Sequence, residues 1–216
     1  NVLHADIESL YPSIMVTEQI KPSTDQLDIF LRLVRSLTAT RLVAKHAMQS
    51  GPEEGEHHAA DAFQASLKIL INSFYGYLGY QRGLFNDYDQ ADRVTTSGQD
   101  LLRSIIRELE LHNAIVIEAD TDGIYFVPPD NVRGEEQEQA FVEKLSQALP
   151  MGINLVLAGR YKKMLSYRKK NYALLDHRER LAIKGSSLIS RSLERFAKNY
   201  IQLCINCLLQ EDVKGL

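Results

Sequence analysis

The sequence predicts an α+β fold: an antiparallel sheet with helices packed on one face and a helical hairpin inserted into it. Three observations predict this. Apolar, β-branched runs are short and come in strand–turn–strand pairs. Long helical stretches separate these runs, in an order that does not alternate strand and helix regularly. Two of those stretches are consecutive and are divided by Gly51-Pro52-Glu53-Glu54-Gly55, a strong breaker.

Taken in order, Val2–Ile7 reads as a strand running into acidic and turn-forming residues. Residues 25–50 read as a helix with Arg32, Arg35, Arg41 and Lys45 and no acid between Ile29 and Pro52. Residues 59–75 form its partner, which makes 25–75 a helical hairpin. Gly76, Gly79 and Gly83 break the chain again. A third helix over 92–111 carries Leu101, Leu102, Ile105 and Leu109 on one stripe. Residues 114–117 and 124–127 read as strands joined by the turn Asp120-Thr121-Asp122-Gly123, and Pro128-Pro129 stops the second. A helix over 135–149, a basic hairpin over 165–175 and 180–183, and a helix over 192–209 complete the chain.

Composition sets limits on function. The 216 residues are 44% hydrophobic, enough for a core, and no apolar run reaches a membrane span. No secretory leader opens the chain, and a start at Asn1 inside a strand reads as a piece of a longer protein. Cys204 and Cys207 make no disulfide framework, so a reducing, cytoplasmic compartment is expected. Their spacing also suits metal or redox chemistry. However, Leu193, Phe196, Ala197, Tyr200, Cys204, Cys207 and Leu208 follow helical spacing, which favours core packing. The net charge of −3 speaks against a simple nucleic-acid coat, yet residues 160–198 hold twelve Lys/Arg against three acids. That stretch carries +9 and leaves −12 elsewhere, so one part suits a polyanion and another suits cations.

Two constellations carry chemistry. Asp120 and Asp122 sit one residue apart at a tight turn between apolar strands. Such a pair taken alone is most often an ordinary Asx turn. Mg²⁺ would also neutralise it, because that ion takes carboxylate oxygens and keeps sites for phosphates. Asp6 ends another apolar strand, and if that strand lies beside the hairpin, three acids meet at one sheet edge, a scaffold for two-metal phosphoryl transfer. On the second hairpin helix, Lys68, Asn72 and Tyr75 share one face, with Leu67, Leu70, Ile71 and Phe74 on the other. Arg41 and Lys45 present cations from the partner helix, as a triphosphate requires. His57-His58, at the hairpin tip, read as solvated.

These motifs together resemble family B DNA polymerases. Asp6-Ile-Glu-Ser-Leu-Tyr-Pro-Ser-Ile14 resembles their first palm motif and Asp120-Thr-Asp122 their second. Lys68-Ile-Leu-Ile-Asn-Ser-Phe-Tyr-Gly76 resembles their fingers motif. Lys169-Lys170-Asn171-Tyr172 and Lys184-Gly185 resemble downstream motifs that touch primer-template. The resemblance implies a palm-type sheet (residues 1–24 and 79–216) with a fingers hairpin over 25–78. It implies deoxynucleotide addition to a primer 3′ end with pyrophosphate release, two Mg²⁺ ions, and primer-template DNA and dNTPs as partners. Asp6 and Asp122 would be the principal metal ligands, with Asp120 nearby. Amides around Ser9 and Leu10 would receive the triphosphate, and Tyr11 would lie under the sugar and exclude a 2′-hydroxyl. Arg41, Lys45 and Lys68 would bind phosphates, Asn72 would support them, and Tyr75 would border the nascent base pair. Lys169, Lys170, Tyr172, Lys184 and Arg191 would hold the primer-template. The family's exonuclease and thumb segments do not fit within this chain.

The sequence also departs from the family pattern. Glu118-Ala119 stand where Tyr-Gly is frequent, Gly123 where Ser is frequent, and Ser192 follows Arg191 where an acid is frequent. Glu118 adds an acid that either binds metal or faces water. Two competing readings follow. One is a nucleotidyl cyclase, against which the Lys68–Asn72–Tyr75 face and the basic stretch speak. The other is a degenerate polymerase-like module that binds DNA or a partner without catalysis.

Overall fold

The computed structural model describes residues 1–49, 54–185, 190 and 192–211, with the side chains of 45–49 and 54–58 outside that description. Its elements run β1 (Val2–Ile7), α1 (Leu10–Thr17), α2 (Ile29–Gln49), α3 (Glu54–Leu78), α4 (Tyr88–Leu111), β2 (Ile115–Ala119) and β3 (Gly123–Val127). They continue with α5 (Glu135–Gln147), β4 (Leu155–Tyr161), β5 (Lys163–Arg168), β6 (Asn171–Leu175), β7 (Leu181–Lys184) and α6 (Arg195–Gln210). The chain divides into two compact units. The first holds residues 1–6, 104–148 and 155–216, and the second holds 7–103 and 149–154.

In the first unit, a four-stranded sheet has the order β2-β3-β1-β4, and β1 and β2 each pair antiparallel with β3. Alternation along β1 sends Leu3 and Ala5 into the core, while Val2, His4 and Asp6 point to the opposite face. Opposite them on β3, Ile124 and Phe126 are fully buried, and Phe126 meets Phe141 of α5 with ring centroids 6.2 Å apart. The glutamates in the first turn of α5 and Lys144 in its last suit the helix dipole. Buried Glu138 accepts the Arg160 Nε–H at 2.5 Å and so ties α5 to β4.

The opposite sheet face carries a cluster of Val2, Tyr125, Tyr172 and Leu174, the last two from a second, three-stranded sheet ordered β5-β6-β7. Ala173 and Leu175 of β6 pack in turn against Ile205 and Leu209 of α6. The expected hairpin is therefore a three-stranded meander. On α6, Ile205, Cys207 and Leu209 are buried and Ile201 half-buried, whereas Phe196, Tyr200 and Leu208 are exposed, so only part of the face expected to be buried is. Cys207 is buried and Cys204 half-buried, and both are free thiols.

In the second unit, α2 and α3 form the hairpin. The α2 helix begins four residues later than expected because Asp25 caps it. Its carboxylate, itself buried, accepts the Ile29 and Phe30 amides at 3.0 and 2.9 Å. On α3, Leu67, Ile71 and Leu78 are buried and Phe74 packs edge-on against Phe30, but Leu70 is exposed. Two elements were not expected. Helix α1 contains Pro12, which in a first turn removes only an N–H that has no helical partner. Strand β4 contains Gly159, which interrupts its apolar alternation. Among the described residues no helix is long and apolar enough to cross a membrane.

Candidate active site

The first unit holds a pocket of about 340 Å³ lined by Asp6, Asp120, Asp122, His4, Tyr125 and Tyr172, with Lys170, Lys184 and two glycines. Asp6 reaches it from the non-core face of β1 and is paired in register with Gly123 of β3. The β2–β3 turn closes with the Asp120 N–H donating to the Gly123 carbonyl at 2.8 Å. Thus the three aspartates expected to act together do line one cavity. Asp122 is exposed and Asp6 half-buried.

Asp120 is already engaged. Its Oδ1 accepts the Thr121 N–H at 2.7 Å and lies 2.8 Å from the Lys170 ammonium. The same ammonium donates to Thr121 Oγ1 at 3.2 Å. Burial alone would raise the Asp120 carboxyl, but the bond and charge of Lys170 and the Thr121 donors outweigh it and hold Asp120 below the usual carboxylate range.

His4 was not singled out by sequence. Its ring stacks on Tyr125 with centroids 4.2 Å apart and planes within 7°. Burial lowers its pKa most; Asp122 and Asp120 oppose that shift, and Lys184 adds to it. A Cβ at Gly123 would stand 2.5 Å from His4 Nε2 and 3.3 Å from Asp6 Oδ1, so the imidazole occupies the space a serine would need. The signal for His4 was its position two residues before Asp6 on one strand, which places both on one face. Tyr172, buried, donates its hydroxyl to that of Tyr125 at 3.2 Å. Burial pushes the Tyr125 phenol upward, and the neighbouring Tyr172, Tyr161 and Asp120 add to that shift.

Lys169 and Lys170 form the turn between β5 and β6, and Tyr172 pairs in register with Lys184. Lys169, Lys170 and Lys184 are exposed. Arg191, expected to contact DNA, lies outside the described residues, as do the side chains of Lys45, His57 and His58.

The remaining candidates lie in the second unit. Ser9 caps α1 at a left-handed φ of 51°, and its hydroxyl accepts the Arg41 Nη1–H at 2.6 Å instead of bonding its own helix. Ser9 therefore gives α1 no side-chain cap of its own. Arg41 Nε is buried without a partner among the described residues, so the guanidinium keeps a spare donor. The Tyr11 ring meets that of Tyr75 with centroids 4.3 Å apart. Leu10 is buried, and Lys68 and Asn72 are exposed on α3. The structure thus brings Ser9 to Arg41 and Tyr11 to Tyr75.

Among the described residues, no group of three or more His, Cys, Asp or Glu side chains forms a ready metal cage. The donors still fit Mg²⁺, a hard ion usually held by one or two carboxylates together with substrate phosphates. The pocket offers carboxylate oxygens of that kind.

A model of DNA polymerase family B matches residues 25–215. Among curated relatives, DNA polymerase 1 of Pyrococcus abyssi (strain GE5 / Orsay) is 30% identical over 220 residues, covering 91% of this chain and 28% of the relative. The DNA polymerase of Thermococcus gorgonarius is 29% identical over 222 residues, covering 92% and 29%. Among solved structures, the family B DNA polymerase of Pyrobaculum calidifontis superposes with a TM-score of 0.64 at 21% identity, covering 99% of this chain and 32% of that one. The chain spans less than a third of the length of these proteins.

Proposed function

Because the chain belongs to DNA polymerase family B, we propose that it is the part of a template-directed DNA polymerase that adds deoxynucleotides to a primer 3′ end. The observation that carries this reading is the pocket lined by Asp6, Asp120 and Asp122 together with Lys170 and Lys184. In this reading residues 1–24 and 79–216 are the palm, and residues 25–78, with the α2–α3 hairpin, are the fingers.

Asp6 and Asp122 would hold divalent ions. When bound, such ions lower the pKa of the attacking 3′-hydroxyl and offset charge on the triphosphate. Asp120, kept ionised by Lys170, would add negative charge without being the principal ligand. Lys169, Lys170 and Lys184 would bind the primer-template as phosphate and groove contacts, and buried Tyr172 would set the wall beneath them. In the second unit, the first amides of α1 and the Arg41 guanidinium would bind phosphate, a task suited to helix N-termini and planar donors. Lys68, exposed on α3, and Lys45 would also bind phosphate, with Asn72 in support. Tyr11, braced by Tyr75, would present its ring to the sugar. Catalysis of this kind is mainly positioning and charge neutralisation.

The test is extension of a labelled primer-template with Mg²⁺ and dNTPs. Asp122→Asn is expected to abolish extension while leaving the unfolding transition in place, since Asp122 is exposed. Near wild-type extension by that variant would overturn the assignment. The Lys170–Asp120 ion pair favours one second reading, a module that binds DNA without catalysis, because one carboxylate is already neutralised. DNA binding that is indifferent to Mg²⁺, with no extension, would mark it.

A further inference from the structure

Glu118 follows a bulge in β2. Val116 pairs with Phe126 and Glu118 with Tyr125, so Ile117 is an extra residue on that strand. Bulges re-aim the side chains beside them. Here Ile117 packs against the cluster of Tyr125, Tyr172 and Leu174, and Glu118 reaches across to the β5–β6 hairpin. Its Oε1 accepts the main-chain N–H of Lys170 at 2.9 Å, and its Oε2 accepts the Ser166 hydroxyl at 3.0 Å.

The hairpin it meets is itself irregular. The register of β5 shifts between Ser166 and Arg168, and Arg168 pairs with Asn171. Lys169 and Lys170 are left as a two-residue turn, with Lys170 at φ 60°. A lysine keeps such a backbone only where its surroundings over-determine it. Glu118 holds its N–H, and Gly185 sits against its carbonyl, since a Cβ at 185 would stand 2.3 Å from Lys170 O.

We propose that Glu118 is a positioning residue that fixes the Lys170 backbone so that its ammonium stands beside Asp120 and Thr121. Both carboxylate oxygens are engaged in this latch, so Glu118 does not simply face water, and it is not part of the pocket lining. The functional consequence rests on the reading of Lys170 as a primer-template contact; the latch itself does not.

Two measurements test it. Hydrogen exchange at the Lys170 amide is expected to quicken at least about tenfold in Glu118→Ala, the scale of one hydrogen bond to a charged group. Glu118→Gln, whose amide oxygen still accepts, should keep the protection. Ser166→Ala leaves the Lys170 bond in place and should also keep it, which preserves the test if the alanine variant at 118 does not fold. In anisotropy titrations with a fluorescent primer-template, Glu118→Ala should weaken binding about tenfold and Glu118→Gln should not. In a Lys170→Ala background the same Glu118→Ala change should cost nothing further. Unchanged exchange in Glu118→Ala, equal damage from alanine and glutamine, or additive losses with Lys170→Ala would overturn the proposal. A wild-type chain that binds no primer-template would remove the polymerase reading, while the exchange comparison would still decide the latch.

Discussion

Gly123→Ala tests the architecture of the pocket most sharply, because its effect should change sign with one other residue. In a strand, alanine is normally better than glycine by about 0.5–1 kcal/mol, since it has less backbone freedom to lose. At position 123 the added methyl would stand 2.5 Å from His4 Nε2, with the Ala5 carbonyl and Asp6 Oδ1 each at 3.3 Å. The Ala5 carbonyl and the Asp6 carboxylate need give by only a few tenths of an ångström. The imidazole must move farther and leave its stack on Tyr125, where ring pairs contribute about 0.5–1.5 kcal/mol. Overpacking of this kind costs about 1–3 kcal/mol, so Gly123→Ala should destabilise by roughly 1–2 kcal/mol net. In a His4→Ala background the obstruction is gone, and the same change should stabilise by about 0.5–1 kcal/mol. Urea unfolding of the four proteins of this cycle, followed by circular dichroism, reads both values. An equal cost of Gly123→Ala in the two backgrounds would refute the argument that His4 fills the space above Gly123.

Other consequences can be checked alongside. Tyr11→Ala should admit ribonucleotides, and Tyr75→Ala should do so to a smaller degree by removing the ring that braces Tyr11; unchanged sugar discrimination in competition assays would remove Tyr11 from that role. His4 has a lowered pKa in the fold, so the unfolded chain takes up a proton first as the pH falls. The stability tied to neutral His4 should be fully present above its unfolded value of about 6.5 and be lost as the pH drops from there through the folded value. His4→Gln should flatten that part of the stability profile, and an identical profile in the variant would contradict it.

The carboxylate turn was legible in the sequence because its ingredients are local. Two aspartates, a glycine and two apolar flanks specify a strand–turn–strand without reference to the rest of the chain. The hairpin of α2 and α3 was legible for a similar reason, since a breaker divides two helical stretches. What escaped depends on partners distant in sequence. Strand β4 lacks clean alternation, and Arg160, which looks like a solvent residue, is held by Glu138 on α5. Helix α1 is hidden by Pro12, which reads as a stop unless the helix start is known. The buried stripe of α6 is chosen by Ala173 and Leu175 of β6, so its own periodicity admits more than one solution. His4 becomes visible only when the strand face is known, and Glu118 only when the bulge is.

Two of the three departures inside the carboxylate hairpin, Glu118 and Gly123, then acquire a physical account. Gly123 removes a side chain at the point where His4 Nε2 stands, and Glu118 supplies an acceptor where Lys170 presents its N–H. Each of these two is matched by a residue on another strand or turn. Lys170 and His4 line the same pocket as the three aspartates. Departures that merely eroded the pocket would leave either a void over Gly123 or a carboxylate at 118 with nothing to accept. Neither is present, so the changes at 118 and 123 are compatible with a pocket that keeps its charges in fixed places, which charge-neutralising chemistry needs.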